Sequence, residues 1–251
     1  MYFLKELERL RKDIVFPCLT VLLLLTIFFF AFGLRTVSLF GFNFPLPWPV
    51  WNSFSVLSFQ QIQRDLLPSG VDLVVLNPMA AFLVQTVISF SLALVAGLPF
   101  FLYKLIGYFS PVFSPSEKIK ILKICFPSLF LFIAGSLFAY FLIIPTTLDF
   151  LYQFPVALNI NPFLAVNEFV FFILGLMLIS GVMFLLPVLM VFLSWLDIAK
   201  RDFWKSNWRS ALTIFLIFSA IITPDGSGLT MLLFSLPLSG LYFLGCYLTS
   251  K

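Results

Sequence analysis

The chain has 251 residues, of which 61% are hydrophobic and only 10% charged, with a mean hydropathy of +1.10 and a formal net charge of +4. That balance excludes a water-soluble domain and identifies an integral membrane protein. The chain has no histidine and no glycine-rich phosphate loop, so it lacks the commonest general base, the usual metal ligands and a recognisable route to nucleotide hydrolysis.

Residues 3–14, FLKELERLRKDI, place Phe3, Leu7, Leu10 and Ile14 on one helical arc, with Glu6, Arg9 and Asp13 on another. This spacing predicts a short interfacial helix leading into the first span. On spacing alone, Glu6 pairs with Arg9, a contact worth about 0.2–0.5 kcal/mol. Charge-free runs follow at 14–34, 73–103, 124–148, 169–196, 210–224 and 226–250. They predict six spans at about 14–34, 78–103, 124–145, 169–193, 210–223 and 229–248. The first run is too long for a secretory apolar region of about 7–15 residues and is read as a retained span. The fifth reaches only about 21–23 Å, against a hydrocarbon thickness of about 30 Å. TPDGSG at 223–228 is a turn signal that separates it from the sixth.

Basic residues set the orientation. Lys5, Arg9, Arg11 and Lys12 precede the first span, and Arg35 and Arg64 lie in the first loop. Lys104, Lys118, Lys120 and Lys123 lie in the second, Lys200, Arg201, Lys205 and Arg209 in the fourth, and Lys251 at the end. With the N-terminus inside, thirteen of these are cytoplasmic and two are not, which predicts an N-in, C-in topology. The positive charge then faces membrane lipid, and no nucleic-acid partner is read from it.

Ionisable groups stand in loops or at span ends, which argues against ion-coupled transport and intramembrane proteolysis. Gln85, Ser89, Ser136, Ser180 and Ser219 either line a path or pack helices together through small polar residues. Pro17, Pro99, Pro127, Pro187 and Pro237, with Pro145 at the outer end of the third span, predict kinks that give the bundle a concave face. Cys18, Cys125 and Cys246 have no metal-binding spacing and are read as packing residues. Glu117 is a lone acid beside Lys118, Lys120 and Lys123; as a solvated ion pair it contributes about 0–1 kcal/mol.

Five motifs occur in order along this topology: FLKELERL at the N-terminus; LPFFLYKLIGYFSPVFSPSEK at 98–118; FAYFLIIP at 138–145, followed by Phe150 and Leu151; SGVMFLLPV at 180–188; and ITPDGSG with LPL at 236–238. Together they resemble the TatC family, the polytopic subunit of the twin-arginine protein translocase, along nearly the whole chain. The resemblance implies an all-α membrane protein forming one domain over residues 1–251. Its six kinked transmembrane helices would make a glove-like bundle in which helices five and six are short. It implies a receptor in the plasma (cytoplasmic, inner) membrane that binds twin-arginine signal peptides of folded precursor proteins. Export would be driven by the proton-motive force, together with single-span TatA- and TatB-type subunits and self-association, and without a cofactor.

Carried over by position, Glu6 and Glu117 are the carboxylates that receive the two signal arginines, and Arg9, Pro99, Tyr103, Pro111, Phe138, Tyr140, Pro145, Pro187, Pro224, Asp225 and Pro237 are supporting positions. A guanidinium pairs with a carboxylate in a bidentate geometry that lysine does not reproduce. The signal's apolar stretch would pack against a groove near spans one, two and five.

The chain also departs from the family pattern. Phe3 stands where the family has His, Glu8 where it has Arg, and Tyr103 is followed by Lys104, Leu105 and Ile106. Leu185 replaces an acid before the proline of span four, and Phe243 replaces a late Glu. Glu168 lies about 25 Å of helix rise from Leu185 and is a poor substitute. Two other classes fit the composition: a six-helix secondary transporter or channel for a small solute, and a membrane scaffold without receptor function.

Overall fold

The computed structural model describes residues 11–39, 42–49, 51–68, 70–109, 115–158, 160, 163–195, 199, 201–223 and 228–249; for 13, 34–39, 42–49, 102–103, 105–109, 115–126, 195 and 201 only the backbone is described. The chain forms two compact units. The first holds residues up to Leu67, Leu73–Leu122 and Leu164–Phe171, and the second holds the remainder.

In the first unit, a π-helical turn at Arg11–Val15 leads into α1, Phe16–Ala31. At about 24 Å by helix rise, α1 is shorter than the predicted 14–34 span. It stops because Phe32 turns extended, at φ −102° and ψ 142°, and begins a β-hairpin. Strands β1 (Phe32–Leu39) and β2 (Phe42–Pro49) pair antiparallel, with Phe32 opposite Pro49 and Leu39 opposite Phe42. The hairpin departs from the all-helical expectation, although helices dominate the described residues. Next comes α2, Phe54–Leu66, an amphipathic helix that buries Ser55, Ile62 and Leu66 while Gln61 donates to the Asp65 carboxylate at 2.9 Å.

A short strand, β3 (Asp72–Val74), precedes α3, Pro78–Phe109. The start of α3 is fixed by Asn77, whose side-chain oxygen accepts the Met79 N–H at 3.0 Å, and by Pro78 at the first helical position. Helix α1 packs along α3. At one end of this pair, the Gln85 amide donates to the Phe30 carbonyl at 3.2 Å and to the Ser53 hydroxyl at 3.1 Å. The Ser53 and Ser55 hydroxyls share a 2.9 Å hydrogen bond, and both residues are fully buried. Phe28, Phe29, Phe32 and Phe54 stack around this polar knot, which lets α1, α2 and α3 meet with these hydroxyls paired.

Helix α4, Pro115–Phe138, contributes its first turns to the first unit and the rest to the second. It passes through a π-turn at Ala139–Ile143 into α5, Ile144–Ala157. Strand β4 (Phe163–Ala165) pairs with β3. Helix α6, Val166–Phe184, is separated from α7, Leu186–Trp195, by Leu185 alone. Then come α8 (Arg201–Ser206), α9 (Trp208–Ile222) and α10 (Leu229–Leu248).

The prolines divide into two groups. Pro17, Pro145 and Pro187 each stand two residues beyond a departure from α geometry, namely the two π-turns and the break at Leu185. A proline ring displaces the carbonyl four residues back and removes one ladder hydrogen bond, and a widened turn accommodates both changes. Pro99, Pro127 and Pro237 lie inside α3, α4 and α10, which run on through them.

Four described helical stretches are long and apolar enough to cross a membrane: Pro78–Phe101, Pro127–Ala157, Val166–Ser194 and Leu229–Leu248. Phe16–Ala31 and Trp208–Ile222 are shorter apolar helices. The second of these, Pro127–Ala157, runs past the predicted end at 145, which brings Asp149 into its helical length, exposed on α5.

In the second unit the spans are locked by small residues. Ser136 donates to the Met177 carbonyl at 3.1 Å and Ser180 to the Gly135 carbonyl at 2.8 Å, joining α4 and α6 reciprocally. A Cβ on Gly181 would stand 2.7 Å from the Ser136 hydroxyl, and one on Gly245 would stand 2.5 Å from the Met190 sulfur, so α10 lies directly on α7. The Tyr242 hydroxyl donates to the Trp204 carbonyl at 2.6 Å, while the Trp204 indole donates to Ser194 at 3.1 Å and to the Ala199 carbonyl at 3.2 Å. Of the five polar positions read from the sequence, Ser136 and Ser180 bond across helices, Gln85 bonds α1 and Ser53, and Ser89 bonds its own helix at the Gln85 carbonyl. Those four are packing contacts, whereas the buried Ser219 hydroxyl has no partner among the described residues.

Candidate functional site

The end of the α1–α3 pair that carries Arg11, Lys12 and Lys104 borders an apolar groove. The π-turn at Arg11–Val15 puts Arg11 and Lys12 just ahead of α1, both exposed. The Arg11 guanidinium lies 5.0 Å from the centroid of the Phe16 ring. On α3, the Lys104 ammonium lies 5.7 Å from the centroid of the Phe100 ring. Between the two helices runs an apolar groove of about 370 Å³, lined on one side by Ile14, Cys18 and Leu22 and on the other by Leu94, Leu98 and Phe101. Gly97 forms part of its floor, and a Cβ there would meet only Leu25 Cδ1 at 3.7 Å.

Glu117 is the third residue of α4, two positions after Pro115. A carboxylate in a first helical turn is favoured by the helix dipole, typically by about 0.3–1 kcal/mol. Glu6 and Arg9 lie outside the described residues, as do Pro111, Pro224 and Asp225 and most of the predicted interfacial helix. Tyr103 belongs to α3, in a stretch described by its backbone. Pro99 is exposed inside α3, in the turn before Tyr103.

The remaining supporting positions fall in the second unit. Phe138 ends α4 with its ring 5.5 Å from Phe184, and Tyr140 lies in the π-turn, edge-on to Phe141 at 5.1 Å. Pro145 and Pro187 open α5 and α7, and Pro237 is half-buried in α10. All five lie in helices or in the turn that joins α4 to α5. Leu185 is the residue at the α6–α7 break, its N–H donating to the Val182 carbonyl at 3.1 Å, and Phe243 is half exposed on α10 beside Trp208. Glu168 is exposed in the first turn of α6.

Sequence reasoning did not single out the Ser53–Gln85 knot or the Trp204–Tyr242 clamp. The available signal was Ser53 and Ser55 at the start of α2, and Trp204 beside Lys205 in an otherwise basic loop.

The family model for Sec-independent protein translocase protein (TatC) matches residues 5–237. The chain belongs to the TatC family. A Sec-independent protein translocase protein TatC of Cenarchaeum symbiosum is 33% identical to it over 253 aligned positions, covering 100% of this chain and 95% of that one. The TatC of Koribacter versatilis is 27% identical, covering 97% and 83%. Among solved structures, a twin arginine translocase receptor TatC crystallised in DDM matches with a TM-score of 0.74 at 25% identity, covering 97% of this chain and 98% of that one. A second TatC receptor crystal structure matches in fold, with a TM-score of 0.72 at 24% identity and 98% coverage of both chains. This TatC-family chain is therefore a membrane protein of Sec-independent protein translocation, with the fold of solved TatC receptors.

Proposed function

We propose that this protein is the signal receptor and core subunit of a twin-arginine translocase, in which Glu117 and Glu6 receive the two signal arginines. The family match over residues 5–237 carries the reading, together with the position of Glu117 in the first turn of α4 as the lone acid of a basic segment. A bidentate guanidinium–carboxylate pair supplies orientation as well as charge. The neighbouring Lys118, Lys120 and Lys123 repel a cationic ligand that is not seated on the carboxylate, so the acid discriminates by position. The signal's apolar stretch adds contact with the exposed apolar faces of the spans.

In this reading the protein is a six-span plasma-membrane subunit with both termini cytoplasmic. It self-associates, engages single-span TatA- and TatB-type partners, and passes folded precursors across the membrane under the proton-motive force. The distribution of basic residues supports that orientation. Leu185 at the α6–α7 break leaves that position without an acid, so contact with the single-span partners there is apolar.

The test is binding of a labelled twin-arginine signal peptide to the purified chain in nanodiscs, comparing wild type with Glu117→Gln and Glu117→Asp. Loss of about 2–5 kcal/mol in the glutamine variant, with partial retention in the aspartate variant, is expected. Equal affinity in all three would refute the assignment.

A further inference from the structure

We propose that the groove between α1 and α3 is a binding site for an anionic phospholipid, with one acyl chain in the groove and the phosphate held by Arg11, Lys12 and Lys104 at its mouth. The groove lining on this side runs from Ile14 in the π-turn to Leu22 of α1, nine residues with about 12 Å of helix rise from first to last. The hydrocarbon core of a bilayer is about 30 Å thick, so one leaflet offers about half of that. A lining of that length, beginning at Ile14 beside Arg11 and Lys12, is close to the depth of a single leaflet's acyl chain. Its volume of about 370 Å³ suits a chain of that kind, whereas a helix with its side chains is about 10 Å across.

The mouth selects the headgroup. Arg11 and Lys104 are each held over a ring, at Phe16 and Phe100, and Phe100 itself lines the groove. Lys104 stands one helical turn beyond the lining residues Phe100 and Phe101, which places it at this end of the groove. The described charged side chains there, Arg11, Lys12 and Lys104, are cationic; Asp13 of the same turn is described by its backbone alone. The described acids of α2 and β3, Asp65 and Asp72, precede the start of α3, about 39 Å of helix rise from Lys104. A phosphodiester at this opening meets three donors of opposite charge, Arg11, Lys12 and Lys104.

The experiment uses the full chain in detergent and in nanodiscs. Native mass spectrometry compares phosphatidylglycerol with phosphatidylcholine of the same acyl chains, and a phosphatidylglycerol with a diazirine midway along one chain maps the site. Preferential retention of phosphatidylglycerol is expected, with crosslinks concentrated at Leu19, Leu22 and Leu98 and no competition from free glycerol phosphate. Arg11→Gln and Lys104→Gln should each lower occupancy about fivefold, and Arg11→Lys should restore it. Gly97→Phe, which fills the groove from its floor, should remove the crosslinks while leaving headgroup preference in the surrounding lipid unchanged. Equal binding of the two lipids, or crosslinks spread evenly over the apolar surface, would overturn the proposal. So would a diazirine-bearing signal peptide, or a second copy of the chain, crosslinking to the same positions at saturating phosphatidylglycerol.

Discussion

The Ser180 hydroxyl donates to the Gly135 carbonyl at 2.8 Å, and a Cβ on Gly135 would stand 2.7 Å from the Ser180 backbone carbonyl. The hydrogen bond and the missing side chain are two parts of one contact, because the α4 and α6 backbones approach closely enough for the bond only where Gly135 has no Cβ.

Gly135→Ala is therefore expected to cost more than loss of the hydrogen bond itself. The added methyl also meets Phe184, at 2.7 Å from its Cγ, so the helices must separate, at a cost of about 1–3 kcal/mol. Ser180→Ala removes one interhelical bond, worth about 0.6 kcal/mol in a membrane bundle. Equilibrium unfolding in mixed micelles separates the two; equal costs would contradict the close-approach account.

Gln85 ties α3 to the end of α1 and the start of α2 through Phe30 and Ser53. Gln85→Leu preserves volume but leaves the Phe30 carbonyl without its side-chain donor, an expected loss of about 1–2 kcal/mol. The effect should be local, with hydrogen exchange rising in residues 51–57. Unchanged exchange in that segment would show that the aromatic cluster suffices alone.

The spans were legible because hydropathy and the absence of charge define a membrane helix almost without reference to tertiary contacts. The predicted 229–248 coincides with α10, and 210–223 differs from α9 by at most two residues at either end. The hairpin was not legible, for a physical reason. Pro45, Pro47 and Pro49 in β2 read as strand breakers, yet they alternate, so all three missing N–H groups fall on the edge away from β1. Kinks were legible at Pro145 and Pro187 but not distinguishable from the continuous turns at Pro99, Pro127 and Pro237, because the outcome depends on whether neighbouring side chains refill the gap. Of the candidate site, the sequence singled out Glu117 as the lone acid of a basic loop, and the resemblance implied a groove near spans one, two and five; the lining of the α1–α3 groove was not legible, because it exists only through the pairing of those helices.

The Trp204–Tyr242 clamp joins the segment before α9 to α10. Tyr242→Phe keeps the edge-on contact with Phe215 at 5.9 Å and removes only the hydroxyl, so a loss of about 1 kcal/mol is expected. Phe215→Ala, which opens a cavity at a buried position, should cost about 3–5 kcal/mol. Chemical unfolding of both variants checks the order, and a larger effect for Tyr242→Phe would reverse it.

In the proposed function, Glu117 reads arginine by geometry rather than by charge alone. The most direct test is a double-mutant cycle between Glu117→Ala and replacement of the two signal arginines by lysines, with binding measured on the purified chain in nanodiscs. A coupling energy of about 2 kcal/mol or more is expected, with lysine and arginine signals binding alike once the carboxylate is gone. Additive effects, or a wild-type protein that binds both signals equally, would contradict the account.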